Sequence, residues 1–151
     1  MKPLIVLIVT FAISLLTLKI SNGRWDYFLS ARIAMSVMLL FAALGHFLFT
    51  DGMILMIPNS IPFKKEIVYA TALIEIAGAV GLHIYSVRQL TAWLLILFLL
   101  LILPANIKAS IKQINYQKGT FDGYGLKYLW FRIPLQVVFI TWIYLSSIKT
   151  S

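Results

Sequence analysis

Glu75 lies within residues 67–87, a stretch that holds no other aspartate, glutamate, lysine or arginine. A carboxylate at the centre of a membrane helix costs about 2.5–3.5 kcal/mol, so one that stays there needs a partner and usually has a task. Other polar groups recur at matching depths in other apolar runs. Arg32, Ser36, Leu39, Ala43, His46 and Thr50 form one stripe at three- and four-residue spacing, more polar than the rest of their helix. Thr71, Glu75, Gly78 and Leu82 form a second, and its small residues permit close helix approach. Arg132 and Gln136 stand one turn apart, and Asn106 follows Pro104.

Two kinds of chemistry suit this set. His46, Glu75, Asn106, Arg132 and Gln136 can line one intramembrane pocket and bind a ligand there. Glu75 is then the candidate acid/base, with Arg132 or His46 stabilising charge. Alternatively Glu75 and Arg132 neutralise one another, and the amides and His46 tie helices together by hydrogen bonds worth about 0.6–2 kcal/mol each. Asn106 serves either role, as a ligand contact or as a cap for carbonyls freed by Pro104. His83 falls toward the opposite membrane face. Two histidines and one glutamate lack metal-ligand spacing, so no metal site is expected.

The elements that position these groups belong in a bilayer. Of 151 residues, 61% are apolar and 12% charged, against about a quarter charged in soluble domains. The net charge of +8 does not point to nucleic acid, because the basic residues flank apolar runs and suit anionic headgroups. There is no cysteine, which excludes disulfides, thiolate catalysis and cysteine-ligated iron–sulfur centres. Any redox role requires a bound cofactor or a partner protein.

About 20 apolar residues cross the hydrocarbon core. Five runs qualify, at 3–18, 33–50, 67–85, 89–107 and 128–148, and make a single integral membrane domain over 1–151. The first, within 1–22, is read as an uncleaved helix, since no small-x-small cleavage site follows it; the rival reading is a signal peptide with Lys2 as its charged region. The third and fourth runs are joined so closely that they form an antiparallel hairpin. Residues 51–66 hold Pro58 and Pro62, which disfavour a spanning helix and suggest an interfacial or re-entrant segment roofing the pocket. Residues 108–127, with Gly119, Gly123 and Gly125 among lysines, read as a solvated loop. Five crossings place Lys2, Lys64, Lys65, Lys108, Lys112, Lys118 and Lys127 on one side, and Lys19, Arg24, Arg32, Arg88 and Lys149 on the other. That bias favours an inside N-terminus. Trp25, Tyr27, Trp93, Tyr124, Tyr128, Trp130, Phe131, Trp142 and Tyr144 are expected as interfacial anchors.

Five short motifs, in order, resemble the DoxX-like integral membrane proteins of bacteria. They are Ala31-Arg-Ile33 leading to Gly45-His46-Phe47, the Ile57-Pro58 and Ile61-Pro62 connection, Ile74-Glu75-Ile-Ala-Gly78 with Gly81-Leu82, Leu103-Pro-Ala-Asn-Ile107, and Trp130-Phe-Arg132-Ile-Pro-Leu-Gln136. The resemblance implies an all-α transmembrane bundle: a four-helix core over 30–149 with one extra N-terminal helix outside it, multi-pass in the bacterial cytoplasmic (inner) membrane. It implies that His46, Glu75, Asn106, Arg132 and Gln136 are shared positions of one pocket. The family takes its name from a component associated with a thiosulfate–quinone oxidoreductase. Quinone is therefore the cofactor candidate, and a membrane or peripheral oxidoreductase the partner candidate beside the bilayer itself. The leading expectation is an accessory subunit that binds a lipophilic small molecule. The alternatives are an isomerase-like intramembrane enzyme on a lipid-like substrate, with Glu75 as acid/base, a solute transporter using Glu75 as a proton relay, and a structural membrane protein. The extra helix and the lysine-rich 108–127 connection depart from the family's pattern.

Overall fold

The structure, a computed structural model, describes residues 2–149. Its helices are α1 (Lys2–Asn22), α2 (Tyr27–Leu48), α3 (Thr50–Met56), α4 (Lys64–Gly81), α5 (Arg88–Leu101), α6 (Leu103–Ile111) and α7 (Leu126–Ile143), the last continuing as a π-helical turn over Tyr144–Ile148. No strand occurs among the described residues, only an isolated bridge between Asn115 and Thr120.

Four helical segments are long and apolar enough to cross a membrane: Lys2–Asn22, Tyr27–Leu48, Arg88–Ile111 and Leu126–Ile148. The third run behaves differently from the other four. Its helix, α4, has 18 residues, four of them charged (Lys64, Lys65, Glu66 and Glu75), and falls short of a spanning composition. It ends at Gly81, so His83 and Tyr85 lie in the turn to α5 and not in the helix. The fold supplies what composition lacks. α4 runs antiparallel along α2, with Ser36 beside Ala79 and Phe47 stacked on Tyr69. On its other side α4 approaches α5 so closely that a Cβ on Gly78 would come within 2.5 Å of the Leu95 side chain.

The core is assembled from Ala34, Met35, Met38 and Leu39 of α2, Leu82, Leu95 and Leu99, and Leu135, Phe139 and Ile143 of α7. α1 joins this core through Leu7, which is wholly buried, and through Phe11, edge-on to Trp142 at 5.1 Å. Its other face, with Ile5, Ile8, Val9, Ile13 and Leu16, is exposed and suits lipid. Asp26 starts α2 by accepting a 2.8 Å hydrogen bond from Leu29 N–H, the usual role of a helix-capping carboxylate.

The fourth run breaks near Ile102 into α5 and α6. Pro104 lacks the N–H that would continue the ladder and instead occupies the first turn of α6. The 108–127 connection is more ordered than a solvated loop. Gly123 N–H donates to Gln113 O at 2.6 Å, Ser110 Oγ donates to Gly125 O at 2.7 Å, and Lys108 Nζ reaches across to Ile57 O. These bonds gather residues 57–63, α3 and the lysine-rich connection at one end of the bundle. The turn at 82–87, the start of α2 and the end of α7 lie at the other.

Gly52 is the tightest joint in that end: a Cβ there would meet Tyr116 O at 1.9 Å, whereas one on Gly45 would find only Met53 Cε at 3.9 Å. Gly52→Ala should therefore cost about 1–3 kcal/mol by overpacking against backbone. Gly45→Ala should be neutral or mildly stabilising, as expected for alanine in a helix interior. Thermal unfolding of the two variants in the same detergent checks this; equal midpoints would show that α3 does not dock on the connection.

Candidate functional site

The site begins with Glu75, on the face of α4 turned to α2. It is 6% exposed, and its Oε2 lies 3.2 Å from Nδ1 of His46 on α2, one turn before Thr50. The same Nδ1 lies 2.9 Å from the carbonyl of Ala42. A backbone carbonyl only accepts, so Nδ1 carries the proton and Nε2 is the basic nitrogen of the neutral ring. That N–H is aimed along the helix at Ala42. The contact with Glu75 is close enough for charge attraction, yet it lacks hydrogen-bond alignment, and Glu75 Oε2 has no hydrogen-bond partner.

Magnitudes show that this pair is incomplete by itself. Opposite unit charges about 4 Å apart gain about 4 kcal/mol at an effective dielectric of 20. Inserting the carboxylate costs about 2.5–3.5 kcal/mol, and an imidazolium adds its own cost. The two groups roughly break even. Further polar contacts must come from elsewhere in the bundle.

They come from α7. Arg132 and Gln136, one turn apart on this helix, line a cavity of about 50 Å³ together with Glu75. The remaining wall is apolar, built by Met38, Leu39 and Ala42 of α2, Leu99 and Ile102 of α5, and Leu135 and Phe139 of α7. Gln136 Nε2 donates to the carbonyl of Leu99, beside the α5–α6 break. Because that carbonyl can only accept, the amide orientation is fixed by chemistry, and Oε1 is left buried without a partner. Glu75, Gln136 and the guanidinium-bearing Arg132 thus line a single hollow. Among the described residues, no ion pair joins Glu75 to Arg132; the acid's only such contact is His46.

The five residues singled out in the sequence divide accordingly. Glu75, Arg132 and Gln136 line the cavity, and His46 stands behind Glu75. Asn106 is buried in α6 outside the cavity wall, where its Oδ1 accepts a 3.3 Å hydrogen bond from Tyr128 OH and its Nδ2 has no partner. Gln136, not Asn106, satisfies the carbonyl near the proline break. Residues 57–63 do not line the cavity, whereas Pro3 of α1 does. Pro3 and Tyr128 were not legible as site residues. Nothing in their own spacing marks them, and only the antiparallel packing of α1 on α2 brings Pro3 to this depth.

A family model described as a domain of unknown function, DUF8561, matches residues 35–147. The chain belongs to this family. The DUF8561 region contains all five polar residues and most of α2 through the π-helical turn, and it leaves out α1 and Arg32. No curated protein and no solved structure matches the chain.

Removing one partner from a buried polar pair leaves the other uncompensated. Glu75→Ala and His46→Ala should each lower stability by about 2–4 kcal/mol, and the double variant should lose less than the sum by about 1–3 kcal/mol. Denaturant unfolding in mixed micelles measures all four forms; strict additivity would mean that the two side chains do not interact in the folded protein.

Proposed function

We propose that the chain is a multi-pass membrane protein that binds the polar head of a lipophilic small molecule in the cavity between α2, α4, α5 and α7. The observation behind this reading is that Glu75, Gln136 and Arg132 line one otherwise apolar hollow, with Glu75 Oε2 and Gln136 Oε1 buried and making no hydrogen bond. A complementary head offers a donor to the two oxygens and an acceptor to the guanidinium. A hydroquinone or quinone ring with its paired oxygens meets this description, and so does a sterol-like hydroxyl.

The resemblance to DoxX-like proteins favours the quinone and a role as accessory to a membrane oxidoreductase. With no cysteine in the chain, electrons would come from a partner protein. Size sets the manner of entry. About 50 Å³ holds a water or two or one polar substituent, while complete ligand pockets measure about 300–1,000 Å³. One wall is α1, whose Pro3 lines the cavity and whose outer face is exposed.

A second reading rests on the bonds already made. Gln136 to Leu99 and Tyr128 to Asn106 cross between helices, so the same residues also serve as bundle glue.

Native mass spectrometry of the full chain, gently extracted and offered ubiquinone or menaquinone, separates these readings. Ligand binding predicts a retained quinone that Gln136→Leu and Glu75→Gln release at least about tenfold more readily, the loss of one good hydrogen bond. If no quinone is retained and both variants change only the unfolding midpoint, the polar set is structural.

A further inference from the structure

At the opposite end of the bundle a second polar group assembles that plays no part in the cavity. Arg32 lies on α2, and Ser36 follows one turn later on the same face. Ser36 Oγ donates its proton to Ala79 O at 2.8 Å, and Nε2 of His83 lies 3.0 Å from the same oxygen. Since the single hydroxyl proton is already placed, His83 Nε2 must be the donor, and its Nδ1 is the nitrogen left for another partner. The carbonyl of Leu82, next in the chain, accepts from Arg88 Nε at 3.2 Å. Arg32, His83 and Arg88 are thereby drawn together from α2, the 82–87 turn and the start of α5. They are close enough that each arginine's charge acts on the histidine and the arginines act on one another.

Among the described residues no acidic side chain forms an ion pair with this group. Asp26 is the acid that acts on Arg32, and its side chain caps α2 at Leu29. Arg32 Nη1 donates to Ser146 O at 3.0 Å, yet its Nε is buried with no partner. Neither arginine forms an ion pair with an acidic side chain among the described residues. Packing three cationic or donor groups without a carboxylate is unfavourable unless an anion from outside completes the set.

The surroundings point to what that anion is. Arg88 lies against the ring of Tyr85 at 5.4 Å, Trp93 meets Tyr144 edge-on, and Trp142 Nε1 donates to Ala31 O. Amphipathic aromatic rings concentrate at the level of lipid headgroups, and basic clefts between helices at that level hold phosphate. Guanidinium groups match phosphate oxygens through paired N–H donors.

We propose that Arg32, His83 and Arg88 form a phosphate-binding site at the membrane face opposite the lysine-rich connection. The phosphate is that of an anionic phospholipid headgroup or of a soluble phosphate compound. His83 reports occupancy. Burial and the two guanidiniums hold its proton affinity below that of an ordinary histidine, and no acidic group from α2, α5 or the end of α7 opposes them. A bound phosphate reverses this field, so the ring gains a proton on Nδ1 and donates it to the anion.

The test uses the full chain in neutral detergent, with phosphatidylglycerol added in one arm and inorganic phosphate in the other. Histidine-ring NMR and native mass spectrometry are recorded in both. Phosphatidylglycerol should move the His83 ring signals toward the imidazolium position and be retained as a one-to-one complex, and Arg88→Gln should weaken retention about tenfold or more. The same response to inorganic phosphate alone would assign the site to a soluble phosphate compound. Unmoved His83 signals in both arms overturn the proposal, and this readout does not depend on any variant folding. Undiminished retention by Arg88→Gln and Arg32→Gln overturns it equally.

Discussion

Glu75 can lie inside this bundle only because other helices bring polar groups to it, and much of the architecture follows from that requirement. α2 must present His46 at the same depth, so α2 and α4 pack antiparallel in a fixed register. α7 must place Arg132 and Gln136 across from them, and Gln136 in turn needs the carbonyl of Leu99. The break between α5 and α6 sits next to this carbonyl. Proline at 104 and an amide at 136 are therefore two parts of one arrangement, although 32 residues apart in sequence.

The bundle treats its two ends differently. At one, α3, residues 57–63 and the 108–127 connection interlock through backbone bonds and the Gly52 contact, which explains how an irregular segment with two prolines is tolerated beside a membrane. At the other, aromatic rings and arginines surround short turns. Between them lies the cavity, to which α1 contributes Pro3. Membership of DUF8561 covers the part of the chain that builds the polar set, while α1, which adds Pro3 to the cavity wall, lies outside.

Much of the site was legible in the sequence because charge in an apolar run is conspicuous and helical spacing fixes depth. Glu75, Arg132 and Gln136 could be placed at one level by counting along their runs, and the small residues near Glu75 foretold close packing. Partner choice was not legible. Arg132 is the stronger cation, yet His46 is the contact, since helix rotation and register decide which side chains meet. Asn106 illustrates the same limit: it meets Tyr128 and does not line the cavity. The fold of 108–127 depends on tertiary contacts of Lys108, Ser110 and Gly52, which no periodicity encodes.

The chain has only two glutamates and two histidines, so isotopic labelling can isolate the contact on which the account rests. Solid-state NMR in lipid bilayers, with ¹³C in the glutamate carboxyls and ¹⁵N in the histidine rings, measures their dipolar coupling directly. A strong coupling between Glu75 Cδ and His46 Nδ1, matching the 3.2 Å approach of Oε2, is the result predicted. Absence of coupling between that carboxyl and His46 would contradict it.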